Sequence, residues 1–367
     1  MTSATESVTE IRRYPISTVR TQIANVLSGL GMPADQVSIT ADAMVDADAC
    51  GIDTHGISLL VTYDDRCTAG TLTMNPSIEL VHETAVSAVF DAGGGLGYVP
   101  GVAATELAIA KALEIGMAGV AVRNSNHFGA AGYYTRMMAA AGLIGMSGTN
   151  GAGGRAAPTR GKEAKLSTNP LAFAAPTRRN PTFHLDMATT TIAAGKIRVK
   201  ANEHEPIPVG WVNDENGAPL TDPTLYDLGS RFALTPLGGT EEGSSFKGYG
   251  LSAMVEILSV GLSGASLVTS EGHGTRTPGT MDIGHFFLAI NPRSFRAEGD
   301  FEDDVDSLID DLHATAPVDP GRPVLVAGER EDAIRRERAV TGVPVPPGLR
   351  EKIREIASRA GAPFLLD

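Results

Sequence analysis

Residues 118–151 read AGVAVRNSNHFGAAGYYTRMMAAAGLIGMSGTNG, and the predicted fold follows from this stretch. It begins with an apolar run typical of a strand, continues as a helix from His127 to Gly142, and ends with a second strand-like run. Strands that alternate with helices of about 12 to 16 residues indicate an α/β layer, for which we expect a mostly parallel sheet.

The same alternation continues on both sides of this stretch. Strand-like runs occur in AVSAVFDAGGG (85–95), NPLAFAAPT (169–177), TFHLDMATT (182–190) and GHFFLAINP (284–292), the last with one buried face. Helical patterns occur in VPGVAATELAIAKALEIG (99–116) and in KGYGLSAMVEILSVGL (247–262), which we expect to be buried.

Both ends of the chain are predicted to be helical. In the first 80 residues we predict three helices: the first stops at Gly31, and the second starts at Pro33 and ends at Gly51. The third is expected to begin just after Thr54, with Thr54 as its cap, and to stop at Gly70. Residues 290–367 are charged and helical. We therefore predict that segment 1–80 packs with segment 290–367, and that residues 81–289 form the α/β lobe with the cofactor-binding and catalytic sites.

Composition narrows the function classes. The 367 residues carry a net charge of −13, which argues against nucleic acid and anionic membranes as partners. Only two cysteines occur, Cys50 and Cys67, as expected in a reducing compartment. The polar N-terminus and the lack of an apolar run of about 18 residues indicate a cytoplasmic protein.

The glycine-rich stretch GGGLGYVPG (93–101) departs from a dinucleotide-binding fingerprint. In the fingerprint G-x-G-x-x-G the third glycine follows the second by three residues, whereas here Gly101 follows Gly97 by four. The next strand ends with Arg123-Asn124, where the dinucleotide-binding fold has an acidic residue. This spacing indicates a flexible loop that contacts a ligand or another subunit, and it disfavours a standard Rossmann turn.

Two further stretches combine chemistry-bearing residues, each with a purely structural alternative. His127 opens a helix whose first turn is Phe128-Gly129-Ala130-Ala131. The small residues of this turn leave room for a phosphate or carboxylate at the helix N-terminus. The structural alternative is a capped helix that packs tightly on the sheet. His184 and Asp186 are predicted to lie on one face of a strand. They could form an acid/base pair, in which the carboxylate orients the imidazole, or Asp186 could cap the residues that follow the strand.

Lys247, at the start of an apolar helix, either neutralises an anion or is a surface lysine. His55, His127, His184 and Asp186 lack the H-x-x-x-H and H-E-x-x-H spacings, so no metal site is predicted.

Six ordered motifs together resemble one family. They are GIDTHGISLLVTYDDRCTAG, NSNHFGAAGYY, TNPLAFAAPT, LDMATTTIAAGKI, LGG…FKGYGLSAMVEILSVGLSGA and GERE, and the resemblance spans roughly residues 15 to 360. The chain resembles the malate/L-lactate dehydrogenase family of NAD(P)-dependent oxidoreductases, which lacks the Rossmann fold. That family also contains sulfolactate and ureidoglycolate dehydrogenases, diketogulonate reductase and a piperideine-2-carboxylate reductase.

The resemblance implies a homodimer with a sulfolactate dehydrogenase-like α/β fold, NAD or NADP as cofactor and a small-molecule substrate. It assigns proton donation to His55, with Thr54 beside it and Asp186 as the relay carboxylate. His127 has the acid/base role in some members. Cofactor contacts are expected at His127, Phe128, Gly129, Ala130, Ala131, Ala174, Ala175, Pro176, Lys247, Gly248, Gly328, Glu329 and Arg330.

One position departs from the family. Members commonly have an arginine four residues after the catalytic histidine, and here that residue is Leu59, which helical spacing would place beside His55. The arginine would pair with a substrate carboxylate, so we expect a bulkier or less anionic substrate, or a carboxylate held by Arg136, Arg155 or Lys196. Phe246 likewise replaces the histidine that usually precedes the lysine.

The leading interpretation is an oxidoreductase that transfers hydride between nicotinamide and a 2-oxo acid/2-hydroxy acid pair or a related carbonyl or cyclic imine. The alternatives are a metal-dependent hydrolase built on the histidines and a nucleotide-binding protein that has lost its activity.

Overall fold

The computed structural model describes residues 11–151, 153–225, 232–267 and 281–367. Its helices are α1 (Ile16–Gly29), α2 (Ala34–Ala49), α3 (Leu59–Thr68), α4 (Tyr98–Ile115), α5 (Gly132–Ala140), α6 (Gly195–Glu203), α7 (Ser245–Glu256), α8 (Asp300–His313), α9 (Glu329–Thr341) and α10 (Pro347–Arg359). Its strands are β1 (Arg12–Tyr14), β2 (Glu79–Glu83), β3 (Ser87–Asp91), β4 (Met117–Ser125), β5 (Ile144–Thr149), β6 (Leu171–Ala175), β7 (Phe183–Met187), β8 (Val212–Asn213), β9 (Ala233–Leu234), β10 (Ile283–Ile290) and β11 (Val343–Val345).

The chain divides into two compact units. Unit 1 combines the N-terminal residues up to Asn75 with Glu329–Asp367, and unit 2 is Pro76–Gly328. The second boundary lies about 40 residues later than the one expected at residue 290. The reason is α8, whose buried Asp306 accepts hydrogen bonds from the backbone N–H groups of residues 178–180 in unit 2.

Unit 1 is helical, and its two chain segments pair with each other. β1 and β11 form an antiparallel pair, and the Tyr14 hydroxyl donates to the Leu366 carbonyl at 2.8 Å. The first two predicted helices are confirmed, because α1 precedes Gly31 and α2 begins directly after Pro33. Gly31 has a φ of +92°, a left-handed conformation that ends a helix at little steric cost when the residue is glycine.

Unit 2 is built on a seven-stranded sheet of order β2-β3-β4-β10-β5-β6-β7. The expectation of a mostly parallel sheet was wrong, because among the described strands of this sheet only β3 and β4 pair in parallel. β4 and β5 run in the same direction, as their connection through α5 suggested, but β10 lies between them and is antiparallel to both. A strand that arrives from 134 residues later in the chain thus replaces the expected parallel neighbour.

The central position of β10 also explains its burial. Six of its eight residues are buried, whereas the sequence predicted burial on one face only. The helix α7, which we expect to be buried, is more exposed than predicted. It packs through Gly248, Ser252 and Val255, but Phe246 is exposed, and so is Ile257 in the helical turn that continues it.

Candidate active site

The turn that carries His55 connects α2 to α3 in unit 1. The Thr54 hydroxyl oxygen lies 2.8 Å from His55 Nδ1, so the two predicted side chains are hydrogen-bonded. The imidazole is half-buried, and loss of solvation lowers its pKa to about 4. Because loss of solvation disfavours the cationic form of an imidazole, His55 is neutral near pH 7.

The helix expected just after Thr54 begins later, at Leu59, so this prediction was wrong. Residues 53–58 form consecutive turns, and the N-cap position belongs to Ser58, which makes no side-chain capping bond. Thr54 therefore contacts His55 and does not cap a helix. Leu59 is half-buried as the first residue of α3, and the helical geometry assumed between positions 55 and 59 does not exist.

In unit 2, the predicted cofactor turn, residues 127–131, lies between β4 and α5. The helix expected to open at His127 begins at Gly132, so this prediction was wrong. His127 Nδ1 accepts the Gly129 N–H at 3.2 Å, and the backbone N–H of His127 donates to Asn126 Oδ1 at 2.9 Å. Gly129 has a φ of +80°, and a Cβ there would lie 2.4 Å from the Tyr98 ring. The His127 ring is therefore used within its own turn, which only glycine at position 129 permits.

A buried histidine that was not among the predicted site residues, His285, packs against this turn. His285 on β10 stacks on Phe128 with ring centroids 4.5 Å apart. Its Nδ1 lies 2.7 Å from the Thr149 hydroxyl and its Nε2 lies 2.8 Å from the Ser125 hydroxyl. Burial lowers its pKa to about 3, so a neutral imidazole joins the ends of β4 and β5.

The prediction that His184 and Asp186 share one face of a strand is confirmed. Both side chains of β7 meet the first residue of α5, where Asp186 Oδ2 accepts the Gly132 N–H at 2.8 Å. His184 Nε2 donates to the Gly132 carbonyl at 3.2 Å. Asp186 therefore caps α5, and its role as the relay carboxylate of His55 stays a prediction.

The other predicted residues have varied surroundings. Ala174 and Ala175 belong to β6 and pair in register with His184 and Phe183 of β7. A Cβ on Gly248 would lie 2.3 Å from the Leu237 carbonyl oxygen, so this glycine permits helix packing. The remaining positions differ in exposure: Gly328 is buried, Arg136 and Glu329 are half-buried, and Lys196, Lys247, Arg155 and Arg330 are exposed.

A sequence model of the malate/L-lactate dehydrogenase family matches residues 14–354. The chain belongs to the malate/L-lactate dehydrogenase family. It is 37% identical over 352 residues to a malate dehydrogenase from Pyrococcus abyssi, with 95% of each chain covered. It is also 37% identical over 345 residues to an L-sulfolactate dehydrogenase from Methanocaldococcus jannaschii, covering 92% of this chain and 94% of that one.

Two solved structures confirm the expected sulfolactate dehydrogenase-like fold. The M. jannaschii sulfolactate dehydrogenase matches with a TM-score of 0.85 at 35% identity, over 96% of this chain and 98% of that one. The malate dehydrogenase from Entamoeba histolytica matches with a TM-score of 0.88 at 32% identity, over 96% and 99% of the two chains. As a member of the malate/L-lactate dehydrogenase family, the chain is a CH–OH oxidoreductase that uses NAD or NADP.

The cofactor turn of unit 2 has suitable donors for a dinucleotide phosphate. Ala130 and Ala131 are buried, yet their backbone N–H groups have no acceptor in the described parts of the chain. An unsatisfied buried N–H costs about 1–3 kcal/mol, and these two precede a helix N-terminus, where anions are favoured. The residues present at 130 and 131 therefore fit an anionic group of the cofactor.

Within the described ranges, no group of three or more His, Cys, Asp or Glu side chains could hold a metal ion. The helices of those ranges also include none with the length and apolar character needed to cross a membrane. A cavity of about 720 Å³ in unit 2 is lined by the loops 157–165, 213–219 and 235–245, and its lining includes none of the predicted site residues. Its lining combines Arg160, paired with Glu241, with threonine and serine hydroxyls.

Two buried polar residues near the candidate chemistry were missed, although the sequence contained a signal for each. Asp48 continues the stripe Val37, Ala41, Met44 along one buried face of α2. His285 interrupts the apolar run of β10. A polar residue at a core position is costly to bury without partners, so each position could have been selected on that ground.

Proposed function

We propose that the chain is a reversible NAD(P)-dependent 2-hydroxy-acid dehydrogenase in which His55 transfers the substrate proton. The observation that carries the proposal is the Thr54–His55 pair, with its oriented and neutral imidazole. A neutral imidazole is the form required of a general base, and such a group contributes about 10²–10⁴-fold to a rate.

The bound nicotinamide supplies or accepts the hydride, and the chain's residues manage the proton. In the oxidation direction, Nδ1–H donates to the Thr54 hydroxyl, so that the Nε2 lone pair can take the proton of the substrate hydroxyl. In the reduction direction, Nε2–H returns the proton to the oxygen or nitrogen that becomes negative. The hydrogen bond to Thr54 orients the ring for both directions.

Leu59 suggests the substrate class. The relatives are named for malate and sulfolactate, both small anionic hydroxy acids. An apolar, half-buried residue in place of the usual arginine supports a substrate with a bulkier or less anionic end, and poor use of pyruvate and oxaloacetate. A cyclic imine with one carboxylate meets the same description.

Other expectations remain parts of the proposal. A homodimer would cover exposed apolar side chains such as Phe246, Ile257 and Leu262, which are 55%, 66% and 62% exposed in the single chain. Light scattering on the purified protein measures this directly. A cytoplasmic location and the choice between NAD and NADP stay predictions.

The test is a turnover assay with NADH and NADPH side by side against simple 2-oxo acids, sulfopyruvate, hydroxylated or amidated 2-oxo acids and cyclic imines. We expect a decrease of nicotinamide absorbance that a chelator does not change. Hydrolysis that a chelator abolishes would favour the metal-dependent hydrolase. Tight nucleotide binding without turnover across the panel would favour the inactive homologue.

A further inference from the structure

The backbone around His55 is irregular, so specific contacts within unit 1 must determine where its imidazole lies. The turn contains backbone bonds of its own, from Ile52 N–H to the Ala47 carbonyl at 2.9 Å and from His55 N–H to the Ile52 carbonyl at 2.8 Å. These bonds define the turn up to His55. The residues that follow the histidine are joined to the start of α3 by bonds from Leu59 N–H to the Gly56 carbonyl at 3.0 Å and from Leu60 N–H to the Ile57 carbonyl at 3.1 Å, and neither bond connects them to α2.

Asp48 fixes those residues from the last turn of α2. Its side chain is 1% exposed, and its Oδ2 accepts the Ile57 N–H at 2.8 Å. A Cβ on Gly56 would lie only 1.8 Å from Asp48 Oδ1 and 2.0 Å from its Cγ. Residues 56 and 57 therefore lie directly on the carboxyl group, and any residue but glycine at position 56 would displace it.

Arg338 of α9 holds the other side of the turn. Its guanidinium pairs with the Asp53 carboxylate through two nitrogens, and its Nη1 also donates to the Asp48 backbone carbonyl at 2.6 Å. Planar two-nitrogen pairs of this kind define an orientation as well as a distance. His55 is thus placed between a clamp at residue 53 and a clamp at residues 56 and 57.

The chemical state of Asp48 suits a hydrogen-bonding role better than a charged one. Burial raises its pKa to about 8, and the neighbouring Asp53 charge adds to this, while the Ile57 N–H and Arg338 oppose it. The carboxyl group is therefore mostly protonated at neutral pH. Its value to the turn lies in its shape and its acceptor oxygen, both of which an asparagine can reproduce.

We propose that Asp48 is a positioning residue for proton transfer at His55, because its carboxyl group seats Gly56 and Ile57. The inference rests on the proposed function of His55. It predicts that the shape of residue 48 controls the rate of the chemical step and leaves cofactor binding unchanged.

The experiment measures kcat, single-turnover rate, cofactor dissociation constant and unfolding midpoint for Asp48→Ala, Asp48→Asn and His55→Gln. We expect Asp48→Ala to lower kcat about 10- to 100-fold with an unchanged cofactor dissociation constant, as small misplacements of a reacting group do. Asp48→Asn should recover most of that loss. The stability control is Asp46→Ala, which lies on α2 like Asp48. It breaks an ion pair with Arg335 of α9 and should keep kcat within about twofold.

A second pair of variants tests the contact with Gly56. Gly56→Ala should lower kcat about tenfold. The same substitution should lower kcat by a smaller factor in the Asp48→Ala background, because the smaller side chain at position 48 makes room for the new methyl group. If Asp48→Ala does not fold, Gly56→Ala still decides, since a folded Gly56→Ala protein with kcat within twofold of the wild type would overturn the proposal.

Two outcomes distinguish this inference from the proposed function. Loss of activity in His55→Gln with full activity in Asp48→Ala would overturn only the role of Asp48. Full activity in His55→Gln would overturn the proposed function, and the role of Asp48 with it.

Discussion

The turns of His55 and His127 look alike in sequence and differ in how the histidine ring is used. In each turn the histidine follows a small polar residue, Thr54 or Asn126, and a glycine lies within the next two positions. His55 Nδ1 bonds to the Thr54 hydroxyl. His127 Nδ1 accepts a backbone N–H of its own turn.

The supports of the two turns differ as well. The His55 turn lies on Asp48 and Arg338, which are polar groups that fix the backbone on either side of the ring. The His127 turn lies on the stacked pair of Phe128 and His285. Under the proposed function, the imidazole of position 55 exchanges a proton and the imidazole of position 127 shapes a binding turn. Neither role can be inferred from the presence of a histidine.

The largest effect is expected at His55. His55→Gln removes the proton acceptor and keeps a polar side chain of similar size, so kcat should fall about 10²–10⁴-fold. Cofactor binding, measured by nicotinamide fluorescence, should not change. A His127→Gln variant with the larger loss of kcat would reverse the assignment of the two histidines.

The pH dependence sharpens the same comparison. Reduction needs the imidazolium form, and a His55 pKa of about 4 means that the free enzyme gains this form down to pH 5 and below. The kcat/KM for reduction should therefore rise about 30-fold from pH 6.5 to pH 5, against about twofold for an imidazole with the ordinary pKa of about 6.5.

Oxidation needs the neutral form of His55, so its kcat/KM should not fall over that range. Circular dichroism at each pH provides the control for unfolding. A reduction profile that levels off below pH 6.5 would show that the titrating group has an ordinary imidazole pKa, which would contradict the lowered pKa of His55.

Leu59→Arg tests the substrate side of the His55 region. A guanidinium that reaches a substrate carboxylate should raise kcat/KM for pyruvate or oxaloacetate about tenfold, as one charged hydrogen bond allows. Leu59→Gln, which adds length and polarity without charge, is the matched control. Equal values for both variants and the wild type would mean that Leu59 does not face the substrate.

The smallest effect is expected at His127. His127→Ala removes the acceptor of the Gly129 N–H, so the cofactor KM should rise about 3- to 10-fold with little change in kcat. His127→Asn offers an acceptor oxygen in place of Nδ1 and should stay closer to the wild type. A loss confined to kcat in both variants would contradict a binding role.

Local elements could be predicted because their signals are local. Periodicity with a terminal glycine predicted α1, α2 and α4, and the two-residue alternation of β7 correctly placed His184 and Asp186 together. The start of α3 was wrong because the hydroxyl of Thr54 was read as a helix cap, whereas it binds the neighbouring imidazole. A cap and a side-chain partner have the same sequence signature, and only the fold separates them.

The sequence by itself determined the family, the α/β alternation and the identity of the candidate chemical groups, because ordered motifs and side-chain periodicity are properties of neighbouring residues. Only the tertiary structure decided that β10 separates β4 from β5, that Asp186 meets Gly132, and that Asp48 lies beneath Gly56. These arrangements join residues distant along the chain, and they depend on satisfying buried polar groups in three dimensions, which no local pattern records.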